Sequence, residues 1–170
     1  MSDVSTEFDV MFERSRPRLK RFVDLLLRDI DSADDVMQET YLRASSGFSS
    51  LQKPEAFTSW LFRIARNLAY AELNRVKKGV SIDLVDEPEL SVDDTESPQQ
   101  LLGRREVGIL LSRAVAELPP QYQEVIALRE YEGLSYAEIA DVTGSTIDAV
   151  KSRLFKARKS LFKRLRRFFQ

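Results

Sequence analysis

Residues 134–161 read LSYAEIADVTGSTIDAVKSRLFKARKSL, and this stretch decides the fold class. It holds two helical patterns around a short break. In the first, from about Ser135 to Val142, Ala137, Ile139, Ala140 and Val142 can turn inward. Ser135 and Glu138 have capping-box spacing. Thr143-Gly144-Ser145 interrupts the pattern, and Gly144 suits the positive φ of a helix C-cap. Ser145 with Asp148 offers a second capping-box spacing. Val150, Leu154, Ala157 and Leu161 then line one face at steps of four, three and four. The expectation is a helix–turn–helix.

Charge says what such a motif would touch. Between Lys151 and Arg167 there are nine Lys or Arg and no Asp or Glu. A solvated helix face ordinarily mixes signs, whereas a single-sign face suits a phosphate backbone. The bland alternative, an αα-hairpin with a solvated cationic face, is left less favoured by that density.

Composition narrows the rest. Apolar residues make up 43% and charged residues 31% of 170, as in soluble globular chains. No apolar run approaches the ~20 residues of a membrane span, so no membrane insertion is expected. The start, MSDVSTEFDV, lacks the basic and apolar regions of a secretory signal. There is no Cys and no His, hence no disulfide, no thiolate metal site and no imidazole base. Without a Gly-rich phosphate loop either, an enzyme is not expected, and neither is a cofactor. The net charge of −1 conceals segregation: 13 basic and 12 acidic residues in 1–78, none and seven in 79–103, 13 and eight in 104–170.

Upstream, about Thr6 to Ile30 reads as a long helix through Phe8, Met11, Phe12, Leu19, Phe22, Val23 and Leu26, with a kink or break at Pro17. Ser32 and Asp35 have capping spacing for a second helix, whose core face is Val36, Met37, Thr40, Tyr41 and Ala44. Its other sides carry an acidic rim, for which dipole compensation is a sufficient explanation. Ser45–Lys53 is a Ser-rich loop holding Phe48 and Leu51. Pro54 opens a third helix with a stripe of Phe57, Leu61, Ile64, Leu68 and Ala71. Off that stripe lie Trp60, Arg63, Arg66, Asn67, Tyr70, Asn74 and Arg75. Cations mixed with aromatics suit a single-stranded nucleic acid, although packing explains the aromatics as well. Residues 79–100 have two Pro, many acids and no period, as in a flexible linker. A helix from Leu101 to Glu117 stops at Pro119-Pro120, and Gln121–Tyr131 leads into the helix–turn–helix.

Three stretches occur in order: DSADDVMQETYLRA, WLFRIARNLAYAELNR and LPPQYQEVIALREYEGLSYAEIADVTGSTIDAVKSRLFKARKSL. Together they resemble the bacterial RNA polymerase sigma factors of the extracytoplasmic-function group, over about 10–78 and 104–165. The resemblance implies an all-α fold of two helical domains, 1–78 and 104–170, joined by an acidic linker, 79–103. It implies a cytoplasmic, non-enzymatic protein whose partners are core RNA polymerase, at its clamp helices and flap, and promoter DNA. An anti-sigma protein is a further candidate partner. The polymerase-facing motif maps to Asp34, Asp35, Gln38, Glu39 and Leu42. The opened −10 strand maps to Phe48, Trp60, Arg63, Arg66, Asn67 and Arg75. The −35 duplex maps to Asp148, Lys151, Ser152, Arg153, Phe155, Lys156 and Lys159. The linker would run through the polymerase active-site cleft and out along the RNA exit path, where its acids could mimic nucleic acid. Ser145 and Ala149 depart from the family pattern, where an apolar residue and Thr are common. Two other readings stay open on the residues alone: a conventional helix–turn–helix regulator, and a purely structural helical bundle.

Overall fold

The computed structural model describes residues 2–78 and 103–169, so the acidic linker lies outside the described residues except for Gly103. All described elements are helical. The first half is α1 (Ser2–Leu27), α2 (Ile30–Gly47) and α3 (Phe57–Lys78), with 3₁₀ turns at Phe48–Ser50 and Pro54–Ala56. The second half is α4 (Arg104–Ala116), α5 (Pro120–Ile126), α6 (Tyr136–Thr143) and α7 (Ile147–Arg166). A π-helical turn, Ala127–Tyr131, extends α5.

Helix α1 buries Phe8, Phe12, Leu19, Phe22, Val23 and Leu26, the face its spacing predicts. Of the kink or break expected near Arg16, the break does not occur: Pro17 lies inside the helix. Pro17 and Glu13 are both exposed, so the carbonyl that loses its donor can turn to water. The chain breaks instead at Arg28, whose φ is +57°. Arg28 N donates to Asp24 O across 3.0 Å, which closes the end of α1. The predicted cap of α2 is also displaced. Asp29, in extended backbone, accepts from Ser32 N and, at 2.6 Å, from Ser32 Oγ. Ser32 is thus the capped residue, not the cap.

In α3 the buried stripe is Phe57, Leu61, Phe62, Ala65 and Ala69. Ile64 and Leu68 are only partly buried and Ala71 is exposed, so the predicted stripe is rotated. The cause is that α3 is covered on two sides, by α1 and α2 and by α6. Helix α5 meanwhile lies against α1, and one apolar cluster runs through both halves.

The helix–turn–helix forms as its sequence demands, with two adjustments. Ser135 and Glu138 make the reciprocal capping box, at 3.1 Å and 2.9 Å. Gly144 ends α6 with φ +63°. The cap of α7, however, is Thr146, whose Oγ1 accepts from Ala149 N at 3.1 Å. Ser145 is drawn back to Thr143 by a 2.7 Å hydroxyl contact. Ala137 is exposed, and Thr143 takes the buried position in its place. Val150, Leu154 and Ala157 are buried as expected, and Leu161 partly so.

Candidate nucleic-acid interface

Three surfaces carry the predicted residues. On α2, burial of Ala33, Val36, Met37, Thr40 and Ala44 turns the intervening positions outward. Asp34, Asp35 and Gln38 are exposed, Glu39 is half-buried, and Leu42 is 58% exposed. Leu42 is thus a large apolar side chain left in water at the end of an acidic rim. Asp34 is 3.7 Å from Lys20, and Glu39 pairs with Arg43 at 2.8 Å. Such exposed pairs contribute little and leave the carboxylates free to exchange partners.

On α3, the steps from Trp60 to Arg63 to Asn67 place all three on one side, and Arg63 and Asn67 are exposed. Trp60 is half-buried beside Phe57, their ring centroids 5.9 Å apart. Gly47 comes close to it: a Cβ there would meet Trp60 Cζ2 at 3.4 Å. Arg75 is exposed but forked onto Glu72 at 2.6 Å and 3.0 Å. Phe48 does not reach this face freely. Its ring packs on Phe8 at 5.4 Å and edge-on to Phe57 at 6.0 Å, pinning the loop after α2.

Arg66 departs further. It points away from Arg63 and Asn67, into the junction with the second half. Its Nε is 2.9 Å and its Nη2 3.3 Å from the carboxylate of Glu124 on α5. Its guanidinium also stacks on Tyr70, 4.0 Å from the ring centroid. The Glu124 side chain is wholly buried and that of Arg66 is 19% exposed. Burial pushes the Glu124 carboxyl up from its ordinary range, and Arg66 only partly restores it. At Arg66 burial also works against the charge, but the Glu124 hydrogen bond and charge outweigh it, so the guanidinium is raised. The two ends differ because burial is complete only at the acid. The buried Tyr70 hydroxyl, beside the same carboxylate, is pushed well up, first by burial and then by the Glu124 charge. A second pair crosses the junction, Arg18 to Glu132, whose side chain is 4% exposed.

The sequence reading missed Glu124 and Glu132. The run Gln123–Leu128 is buried throughout. A run buried without interruption carries no periodic mark by which an inward acid such as Glu124 could be recognised, and Glu132 lies beyond it, after the π turn.

On α7, Asp148, Lys151, Ser152, Phe155, Lys156 and Lys159 are exposed along one face, and Phe155 is 69% exposed. Arg153 is half-buried, close enough to Glu124 for its charge to be felt there. Arg158 is held by Glu130 at 2.8 Å. The face is therefore cationic with one bare aromatic, on the helix that follows the turn, where base edges are read in a major groove.

An all-helical first half and a helix–turn–helix with a cationic face define the class, a helical DNA-binding protein. Comparison with known proteins gives the family. Residues 11–79 match the family model "Sigma-70 region 2" and residues 109–161 match "Sigma-70, region 4". The chain is similar to the RNA polymerase sigma-H factor of Pseudomonas aeruginosa, 30% identical over 165 residues, covering 93% of this chain and 86% of that one. It is also 30% identical over 150 residues to the ECF RNA polymerase sigma-E factor of Escherichia coli, covering 83% of this chain and 78% of that one. Among solved structures, its fold is shared with the sigma factor RpoE, in complex with the anti-sigma factor NepR, from Bartonella quintana (TM-score 0.71, 24% identity, 94% and 97% coverage). It is shared too with CnrH, in complex with the cytosolic domain of CnrY (TM-score 0.64, 22% identity, 96% and 93% coverage). The chain belongs to the sigma-70 family of RNA polymerase sigma factors, in its extracytoplasmic-function group. It confers promoter specificity on RNA polymerase at transcription initiation. Matches to both halves displace the regulator and structural-bundle readings, which account for one half or neither.

Proposed function

We propose a division of labour among the three surfaces. The rim of Asp34, Asp35, Gln38, Glu39 and Leu42 docks on the polymerase clamp helices. Trp60, Arg63 and Asn67, joined by Arg66 and Arg75 when their acid partners release them, line the opened −10 strand. Phe48 shapes the loop beside that strand. Asp148, Lys151, Ser152, Phe155 and Lys156 face −35 base edges, with Arg153 and Lys159 on phosphates. The functional units are 1–78 and 104–170, with 79–103 as the linker between them. The protein works inside the cell, without catalysing a reaction of its own, and an anti-sigma protein is its candidate inhibitor.

The observation that carries this reading is the separation of signs. One helix exposes acids and a leucine, and another exposes cations and a phenylalanine. An acidic rim is repelled by phosphate, so the two faces need different partners. Transcription from a cognate promoter with purified core polymerase tests it. Asp35→Ala with Gln38→Lys should weaken attachment to core about tenfold or more, as for loss of a central docking residue. Duplex binding should be unaffected. Removing Lys151 and Lys156 should do the reverse and relax the base preference, while removing Arg153 and Lys159 should lower the slope of log affinity against log salt by about two. Unchanged core binding in the first variant would remove the rim assignment.

A further inference from the structure

Two acids of the cationic second half lie buried against cations of the first. Glu124 is the clearer case. Its side chain has no exposure, and Arg66, across the junction, is the one cation within ion-pair distance among the described residues. Glu132 repeats the pattern with Arg18. If packing of the second half alone set the residue at 124, an apolar side chain would serve it better than a carboxylate. An ion pair differs in one respect from the apolar contacts that also join the halves: when the halves part, both charges return to water, so the pair itself opposes separation less than an equal area of apolar contact would. The geometry is informative as well. Arg66 meets Glu124 through a two-pronged contact, the same fork a guanidinium presents to a phosphate.

We propose that Arg66 and Glu124, backed by Arg18 and Glu132, form an interdomain latch that keeps the isolated chain closed. In that state Glu124 occupies the guanidinium that would otherwise meet the opened DNA strand. The docking rim on α2 and the cationic face of α7 stay uncovered, so the latch withholds one strand contact and the spacing of the halves, not access to partners. The DNA consequence rests on the assignment of Arg66 to the −10 strand; the closed state does not.

The absence of Cys makes the test direct. Cysteines placed at the exposed positions Ser45 and Lys163 of the full chain carry a donor–acceptor pair that reads the distance between halves. Glu124→Gln keeps shape and removes charge; Arg66→Gln breaks the pair from the other half and serves if the first variant folds poorly by circular dichroism. Both should shift the transfer efficiency toward separated halves. Glu124→Gln should also bind a −10 single-stranded oligonucleotide about tenfold tighter, by the closed fraction it releases. Arg66→Gln should open equally and gain nothing. If both variants open and gain affinity alike, the latch stands and the strand role of Arg66 falls. If neither changes the transfer efficiency, the latch is overturned.

Discussion

Arg28 holds a left-handed backbone, φ +57°, that a side chain with a Cβ adopts only against steric resistance. Arg28→Gly should raise stability by about 0.5–1 kcal/mol, the resistance removed less the entropy of the freer unfolded chain; urea denaturation of the two forms measures it. The next residue carries a pH dependence. Ser32 hydrogen bonds, side-chain first and backbone second, hold the Asp29 carboxyl below its ordinary value. A lowered folded value means the cap's contribution is present above the ordinary carboxylate range and is lost as pH falls through the lowered one. Asp29→Asn, which keeps an acceptor, should flatten that part of the acid-unfolding profile. Neither feature was legible beforehand. Pro17 predicts a kink or break near Arg16 because proline removes a donor, yet a solvent-side carbonyl tolerates that loss without a break. Ser32 looked like a cap because it has the right chemistry three residues before Asp35, but the backbone turns outward at Asp29. A smaller slip, of one residue against three, separates Ser145 from Thr146. Where the turn geometry is forced, as by Gly144, or the box is reciprocal, as at Ser135 and Glu138, sequence and structure agree.

At the scale of the element, α3 carries the lesson. A stripe at helical period identifies a helix, and it did. Its phase is another matter when two sides are covered. Periodic large residues drew the stripe through Ile64, Leu68 and Ala71, while the closest packing runs through Phe62, Ala65 and Ala69. Small residues let neighbouring helices approach, so the most buried line can be the least conspicuous one. The two lines predict different mutational costs. Ala69→Leu should destabilise by about 1–3 kcal/mol, the cost of overpacking a filled site. Ala71→Leu, which the rotated stripe would place in the core, should change stability by less than about 0.5 kcal/mol as a surface substitution. Thermal or chemical unfolding of the two variants decides between the phases. The same rotation explains the site. The sequence placed Trp60, Arg63, Arg66 and Asn67 on a common off-core face; Arg66 leaves that face because the side it occupies is covered by the second half. An interface between halves joined by a long linker has no local signal in the chain.

For the whole molecule, packing of the halves and attachment to polymerase compete. The proposed function puts the two halves on separate partners, the α2 rim on polymerase and the α7 face on duplex DNA, so the spacing of the halves matters to both. The affinity for core polymerase is then the intrinsic affinity reduced by the open fraction. A latch worth about 1.4 kcal/mol keeps roughly one chain in ten open. Glu124→Gln, which leaves the α2 rim untouched and alters the α7 face only through the charge felt at Arg153, should therefore tighten binding to core by up to about tenfold. That gain should appear mostly in the association rate, because the bound state no longer contains the pair. Combining it with Asp35→Ala and Gln38→Lys separates the two effects. If the rim supplies the contact and the latch supplies the conformational cost, the losses and gains add on a logarithmic scale, as for sites without shared partners. Titration of labelled chain with core polymerase measures all the variants. A rim variant that abolished the gain from Glu124→Gln would mean that polymerase pries the halves apart through the rim itself, and that docking comes before opening.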